Sequence, residues 1–125
     1  MEQGYLIDTN CIIDFANGKL SDNVKIFIAS ILDDQPAISV INKIEILGFS
    51  NPGNAILEFI KVIQVIGLTD DIVGVTVNVR RLHKIKLPDA IIAATALHHN
   101  RILVTRNVSD FKMIQSLTLI NPWDR

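Results

Sequence analysis

The chain of 125 residues contains a single cysteine, Cys11. An internal disulfide is therefore impossible, which fits a reducing cytosol. No apolar run reaches the roughly 18 residues that a membrane-spanning helix needs. The opening residues, MEQGYLIDTN, lack the basic start and unbroken apolar core of a secretory signal. A soluble, cytoplasmic protein with no membrane partner is the expectation. Excess charge is missing too, because the net charge is −1. The molecule as a whole does not attract nucleic acid, so any such contact must be local. There is no repeat, low-complexity tract or linker, and no Cys/His pattern of a zinc site.

Apolar residues are plentiful. They make up 49% of the chain, and the mean hydropathy is +0.34. A chain of this length can bury the core of one domain, here residues 1–125. The surplus suggests a surface that another chain covers. Residues 24–32 and 56–66 are where a partner helix or a second subunit could dock.

Short apolar runs alternate with helical patterns. GYLI (4–7) reads as a buried strand ended by DTN. Residues 10–16 predict a short helix stopped by Asn17-Gly18. The spacing over 21–34 predicts a helix with Ser21 as N-cap. AISV follows as a strand, and Ser39 opens a helix that runs to about Gly48. On that helix, 100° per residue places Ile41, Ile44, Leu47 and Gly48 inward. Glu45 then falls at the edge of that face, and Asn42 and Lys43 point away. NPGNAILEFIKVIQVI (51–66) opens with turn residues and continues as an amphipathic helix, and IGL (66–68) reads as a short strand. TDDIVGVTVNVRRLHKI reads as a helix, although its β-branched residues favour a strand locally. Residues 88–99 predict a buried helix with Pro88 in its first turn. RILVT is a strand, 107–115 a short helix or turn, and LTLI (117–120) a last strand. This alternation argues for an α/β fold with a mostly parallel sheet covered on both faces.

Sites in such sheets form at the carboxyl ends of the strands. Asp8 directly follows the first strand, and Thr105, Arg106 and Asn107 follow ILV. Asp89 opens the buried helix, Glu45 lies on the helix after the second strand, and Asp110 is a few residues past Thr105. Each acid alone has an ordinary explanation. Asp8 could cap a helix and Asp110 could be a loop acid. Glu45 could be a boundary residue. Asp89 could be a first-turn acid, worth about 0.3–1 kcal/mol to the helix dipole. Together they would repel and raise one another's pKa. A hard cation, Mg²⁺ or Mn²⁺, resolves such crowding. Held by few carboxylates, it can activate water and offset charge on a phosphate. Arg80, Arg81, Lys84 and Lys86 just before Asp89, with Arg106, are candidates to hold a phosphate backbone. His83, His98 and His99 read as structural or exposed.

YLIDTNCIID, SVINKIEILG, LPDAIIAATAL and ILVTRNVSDF followed by LINPW occur in this order across essentially the whole chain. With these segments the sequence resembles the PIN-domain ribonucleases, specifically the VapC-type toxins of type II toxin–antitoxin systems. The resemblance implies a PIN-like α/β/α sandwich with about four or five strands in its central sheet. It implies a Mg²⁺- or Mn²⁺-dependent endoribonuclease, a homodimer and a cognate antitoxin that blocks the site. By position, Asp8, Glu45 and Asp89 match the family's metal-binding acids. Thr105 matches a threonine that orients them, and Asn10 a polar residue beside the first acid. Asn107 stands where many relatives carry a fourth acid. It can orient water but adds no charge, and Asp110, one turn on, is the candidate replacement.

Two other functions compete with the enzyme. One is a catalytically weak or inactive PIN-like module that binds RNA or protein, a reading that only Asn107 favours. The other is a phospho-acceptor domain. That would need paired acids near the first strand and a lysine after the last, and neither is present.

Overall fold

The computed structural model of the chain describes residues 3–124. Its elements are β1 (Tyr5–Ile7), α1 (Thr9–Ala16), α2 (Asp22–Leu32), β2 (Ala37–Ser39), α3 (Val40–Leu47), α4 (Asn54–Val62), β3 (Gln64–Ile66), α5 (Asp70–Leu82), α6 (Leu87–His98), β4 (Ile102–Val104) and β5 (Leu119–Ile120), with 3-10 turns at Val108–Asp110 and Pro122–Asp124. The five strands lie in the order β3-β2-β1-β4-β5. Every pair is parallel. The expected sheet is thus borne out, and it is wholly parallel.

Side chains alternate across this sheet because strand periodicity is two. Leu6, Ala37 and Leu103 point to one face, where they meet Ile72 and Val79 of α5 and the alanine-rich α6. Ile7, Ile38 and Val104 point to the other, where they meet α1, α2 and α4. Each fully buried Leu, Ile or Val contributes about 1.5–3 kcal/mol of transfer free energy. Burial on both faces explains why the strands are short, unbroken apolar runs rather than alternating ones. Helix α6 is buried from Ala90 through Ala96, which explains its nearly unbroken apolar sequence. Helix α5 forms despite its β-branched residues. The Thr69 side chain caps it, accepting from the Ile72 N–H at 3.3 Å. Its Ile72, Thr76 and Val79 stripe is buried. Tertiary packing outweighs local propensity here.

Two expectations need correction. The helix expected to follow the turn residues at 51–54 and run to 66 ends already at Val62, and the strand expected at 66–68 is Gln64–Ile66. Gly53, with φ at +89°, opens the helix in a conformation that suits glycine. Ile63 is extended, and Gln64, Val65 and Ile66 then pair with Ala37, Ile38 and Ser39. The apolar run continued at helical spacing, so periodicity alone could not mark the change.

The second correction concerns α3. Its buried residues are Asn42 and Ile46, whereas Ile44 and Leu47 are 61% and 49% exposed. The inward face is therefore rotated from the apolar one. A polar residue occupies it because it has polar partners there.

Candidate active site

The sheet order changes direction between β1 and β4. Successive strands run outward from β1 through β2 to β3, and then β4 returns to the other side of β1. A crevice opens at the carboxyl ends of strands at such a switch point. Asp8 leaves the end of β1 there and Thr105 leaves the end of β4. Asp8 is the N-cap of α1 and is only 7% exposed. Its carboxylate is surrounded by donors. Oδ1 accepts from the Thr9 N–H at 2.9 Å and from Asn42 Nδ2 at 3.2 Å. Oδ2 accepts from the Thr105 hydroxyl at 2.8 Å and, more distantly, from Asn10 Nδ2 at 3.4 Å. A buried carboxylate without such partners would be costly. Among the described residues no buried side-chain nitrogen or oxygen lacks a partner.

Asn42 and Thr9 escaped sequence reasoning. Asn42 is fully buried and joins three groups. Its Oδ1 accepts from the Ser39 N–H at 2.9 Å, and its Nδ2 donates to Asp8 and, at 3.0 Å, to Thr9 Oγ1. The Thr9 hydroxyl donates in turn to Glu45 Oε1 at 3.0 Å. A chain of hydrogen bonds thus runs from the start of α3 through Asp8 and Thr9 to Glu45. A signal was available: Asn42 lies three residues after Ser39, the reciprocal position of a capping box.

The acids feel one another. Partial burial raises the pKa of Glu45, the Thr9 hydrogen bond lowers it, and the charges of Asp8 and Asp89 raise it further. Burial also raises Asp89, followed by the charges of Asp110 and then Asp8, with Lys86 acting in the opposite sense. Asp110 is thus the strongest charged neighbour of Asp89. It sits in the 3-10 turn after β4, where its N–H donates to the Asn107 carbonyl at 3.0 Å. Asn107 is exposed, and its N–H donates to Thr105 Oγ1 at 3.0 Å.

The model of the PIN domain family matches residues 5–115. The chain belongs to the PIN domain family. Similar solved structures agree over nearly the whole length. A toxin–antitoxin complex from Klebsiella pneumoniae is 31% identical, covers 95% of this chain and 98% of that chain, and has a TM-score of 0.78. VapBC-1 from nontypeable Haemophilus influenzae is 25% identical, with coverages of 97% and 98% and a TM-score of 0.78. VapBC2 from Rickettsia felis, bound to a DNA fragment from its promoter, shares the fold at 22% identity, with coverages of 94% and 97% and a TM-score of 0.77. No curated protein matches the chain. The resemblance read from the sequence motifs is thereby borne out at the level of family and fold.

Within this PIN domain the basic residues divide. Arg80 and Arg81 end α5, Lys84 lies in the connection, and Lys86 is the N-cap of α6; all four are exposed. Arg106 differs from them. Its guanidinium donates to Asp14 Oδ2 at 2.7 Å and lies 5.3 Å from the centre of the Trp123 ring. Cys11 is shut away, and burial, then Asp8, pushes its thiol far above the usual range. His98 and His99 stand at the far end of α6 from Asp89, where burial and the neighbouring His98 lower the pKa of His99.

As their side chains stand, no three Asp, Glu, His or Cys residues among those described are gathered closely enough to hold a metal ion. The donor chemistry of the PIN domain still suits a hard cation. Asp8, Glu45 and Asp89 are oxygen donors with no sulfur or imidazole among them, and the latter two are held at raised pKa by burial and then by neighbouring carboxylates, Asp8 among them.

A second feature is an apolar groove of about 200 Å³ between α1, α2 and α4, walled by Phe15, Ile28, Leu32, Ile56 and Phe59. It falls within the segments singled out for docking. Among the described residues no helix is long and apolar enough to cross a membrane.

Proposed function

We propose that this PIN domain, residues 1–125, is a Mg²⁺- or Mn²⁺-dependent endoribonuclease. Its role is that of a toxin in a type II toxin–antitoxin pair, acting in the cytoplasm as a homodimer. The observation that carries this reading is the buried Asp8 carboxylate at the switch point, held by four donors and linked through Thr9 to Glu45, with its charge felt by both Glu45 and Asp89. Carboxylates that crowd one another without a cation among them are unfavourable, and function is the common reason to keep them.

Asp8, Glu45 and Asp89 would hold the metal, with Asp110 adding charge in place of the acid missing at Asn107. Once bound, the cation would activate a water and offset charge on the phosphate. The rest of the work falls to the chain. Thr105, Asn42 and Asn10 fix the Asp8 carboxylate, and Thr9 holds Glu45. The exposed amide of Asn107 can orient a water. Lys86 stands beside Asp89, and with Arg80, Arg81 and Lys84 it offers positive charge to an RNA backbone.

The antitoxin reading rests on the groove. The similar structure from Klebsiella pneumoniae is a toxin–antitoxin complex, and an apolar channel between α1, α2 and α4 suits a partner's amphipathic segment. Exposed Ile44, Leu47 and Phe49 at the end of α3 support a second copy.

The test uses purified, partner-free protein incubated with total cellular RNA in EDTA, Mg²⁺ or Mn²⁺, beside an Asp8→Ala control. Discrete cleavage that needs metal and disappears in the variant is expected. A folded protein that cuts no RNA under any metal would move the reading to a binding module.

A further inference from the structure

Arg106 is placed by sequence among the residues that hold RNA, but the structure engages it on three sides. Its backbone N–H donates to Asn10 Oδ1 at 3.2 Å. Its guanidinium donates to Asp14 Oδ2 at 2.7 Å, where the Asp14 side chain is only 17% exposed. Its other face lies over the Trp123 ring at 5.3 Å. Asn10 and Asp14 are four residues apart on α1, so both lie on one side of that helix. Arg106 reaches along this side, and its side chain, still 50% exposed, meets Trp123 of the C-terminal turn. The guanidinium of a planar, forked cation can satisfy a carboxylate and a ring at once.

The neighbours of Arg106 in sequence touch the site. Thr105 Oγ1 donates to Asp8, and Asn107 donates its N–H to the same hydroxyl oxygen. Asn10 is shared: its oxygen takes the Arg106 N–H while its nitrogen faces Asp8. Any shift of Arg106 therefore moves Thr105 and Asn107 against Asp8. We propose that Asp14, Arg106 and Trp123 form a clamp whose role is to position the Thr105–Asp110 loop against Asp8, and that Arg106 is a positioning residue rather than a phosphate contact. This rests on the nuclease reading of the same site.

Asp14→Asn separates the two roles, because Asp14 is turned toward Arg106 and lies outside the acids of the site. Released from Asp14, a positioning arginine lets the loop drift; a phosphate-binding arginine becomes freer to grip RNA. Asp14→Asn is expected to lower kcat about tenfold while KM stays within about twofold, since small misplacements near reacting groups are costly. Amide hydrogen exchange of Asn107 and Asp110 should quicken, with the amides of β1 and β4 unchanged. General destabilisation would instead quicken all of them. Arg106→Lys should recover only part of kcat, because it keeps the charge but not the fork. Trp123→Phe, which retains a ring, provides a milder second variant with the same direction of effect. A lowered or raised KM at unchanged kcat, or unaltered exchange over residues 105–110, would overturn the clamp. If wild-type protein cleaves no RNA under any metal, the nuclease reading falls by itself, and the local exchange result decides the clamp alone.

Discussion

At the scale of single residues, Asp89 shows how a site can oppose stability. Burial and the charges of Asp110 and Asp8 raise its pKa above the ordinary carboxylate value. The folded protein therefore holds its proton more tightly than the unfolded chain does. Stability falls as pH rises from the ordinary value through the raised one, and the loss is complete above it. Asp89→Asn removes that loss. In metal-free buffer at pH 7 the variant should melt above wild type, a gain trimmed by the lost helix-dipole interaction. The gap should close at pH values below 3.8, the ordinary value. Melting curves across pH check this, and a variant no more stable than wild type at pH 7 would contradict it. The same substitution should abolish metal-dependent cleavage. Asp8, Glu45, Asp89 and Thr105 were legible as residues because short motifs at strand ends point to them. Asn42 was not, because an outward-pointing amide and a buried one look alike until the partner of the helix is known.

At the scale of elements, α3 is the case that sequence pattern misread. Its Ile44 and Leu47 suggested an apolar inner face, yet Asn42 and Ile46 are the residues inside. What turns the helix is its capping box, in which Ser39 and Asn42 exchange hydrogen bonds and Asn42 reaches on to Asp8. Asn42→Ala leaves the Ser39 N–H and an Asp8 oxygen short of a partner inside the protein. A cost of about 1–3 kcal/mol is expected, together with a fall in cleavage, since Glu45 rides on this helix. Urea unfolding and RNA cleavage measure the two separately. An unchanged midpoint would mean that α3 is held by packing alone. The strand β3 teaches a related lesson. Its apolar residues carry on the helical pattern of α4, and only pairing with β2 makes Gln64–Ile66 a strand. By contrast α6 was legible because seven successive buried residues, Ala90–Ala96, leave little choice of environment.

At the scale of the whole molecule, the parallel sheet and its two covered faces follow from the alternation of short apolar strands with helices. The crevice follows from the order of strands, which no local pattern encodes. It sets Asp8 where its charge bears on Glu45 and Asp89, and Asp110 where its charge bears on Asp89. A divalent cation that relieves this binds the folded state alone and should raise its melting temperature. At a hundredfold excess over Kd the gain is about 2.7 kcal/mol, several degrees for a chain of this size. Mn²⁺ should therefore stabilise wild type and leave Asp8→Ala or Asp89→Asn nearly unmoved. A wild-type melting temperature indifferent to Mg²⁺ and Mn²⁺ would count against metal binding.

The Thr105 hydroxyl that holds Asp8 belongs to a residue 97 positions later in the chain. This bears on the time at which a molecule of this kind becomes active. While the protein is being synthesised, Asp8 emerges well before β4, Thr105 and Asp110. A nascent chain carries the first acid without the strand beside it, the hydroxyl that orients it or the turn that faces Asp89. On the nuclease reading, the site is assembled only once β4 and the turn after it have been made. A chain that stalls before β4 is harmless to the RNA around it.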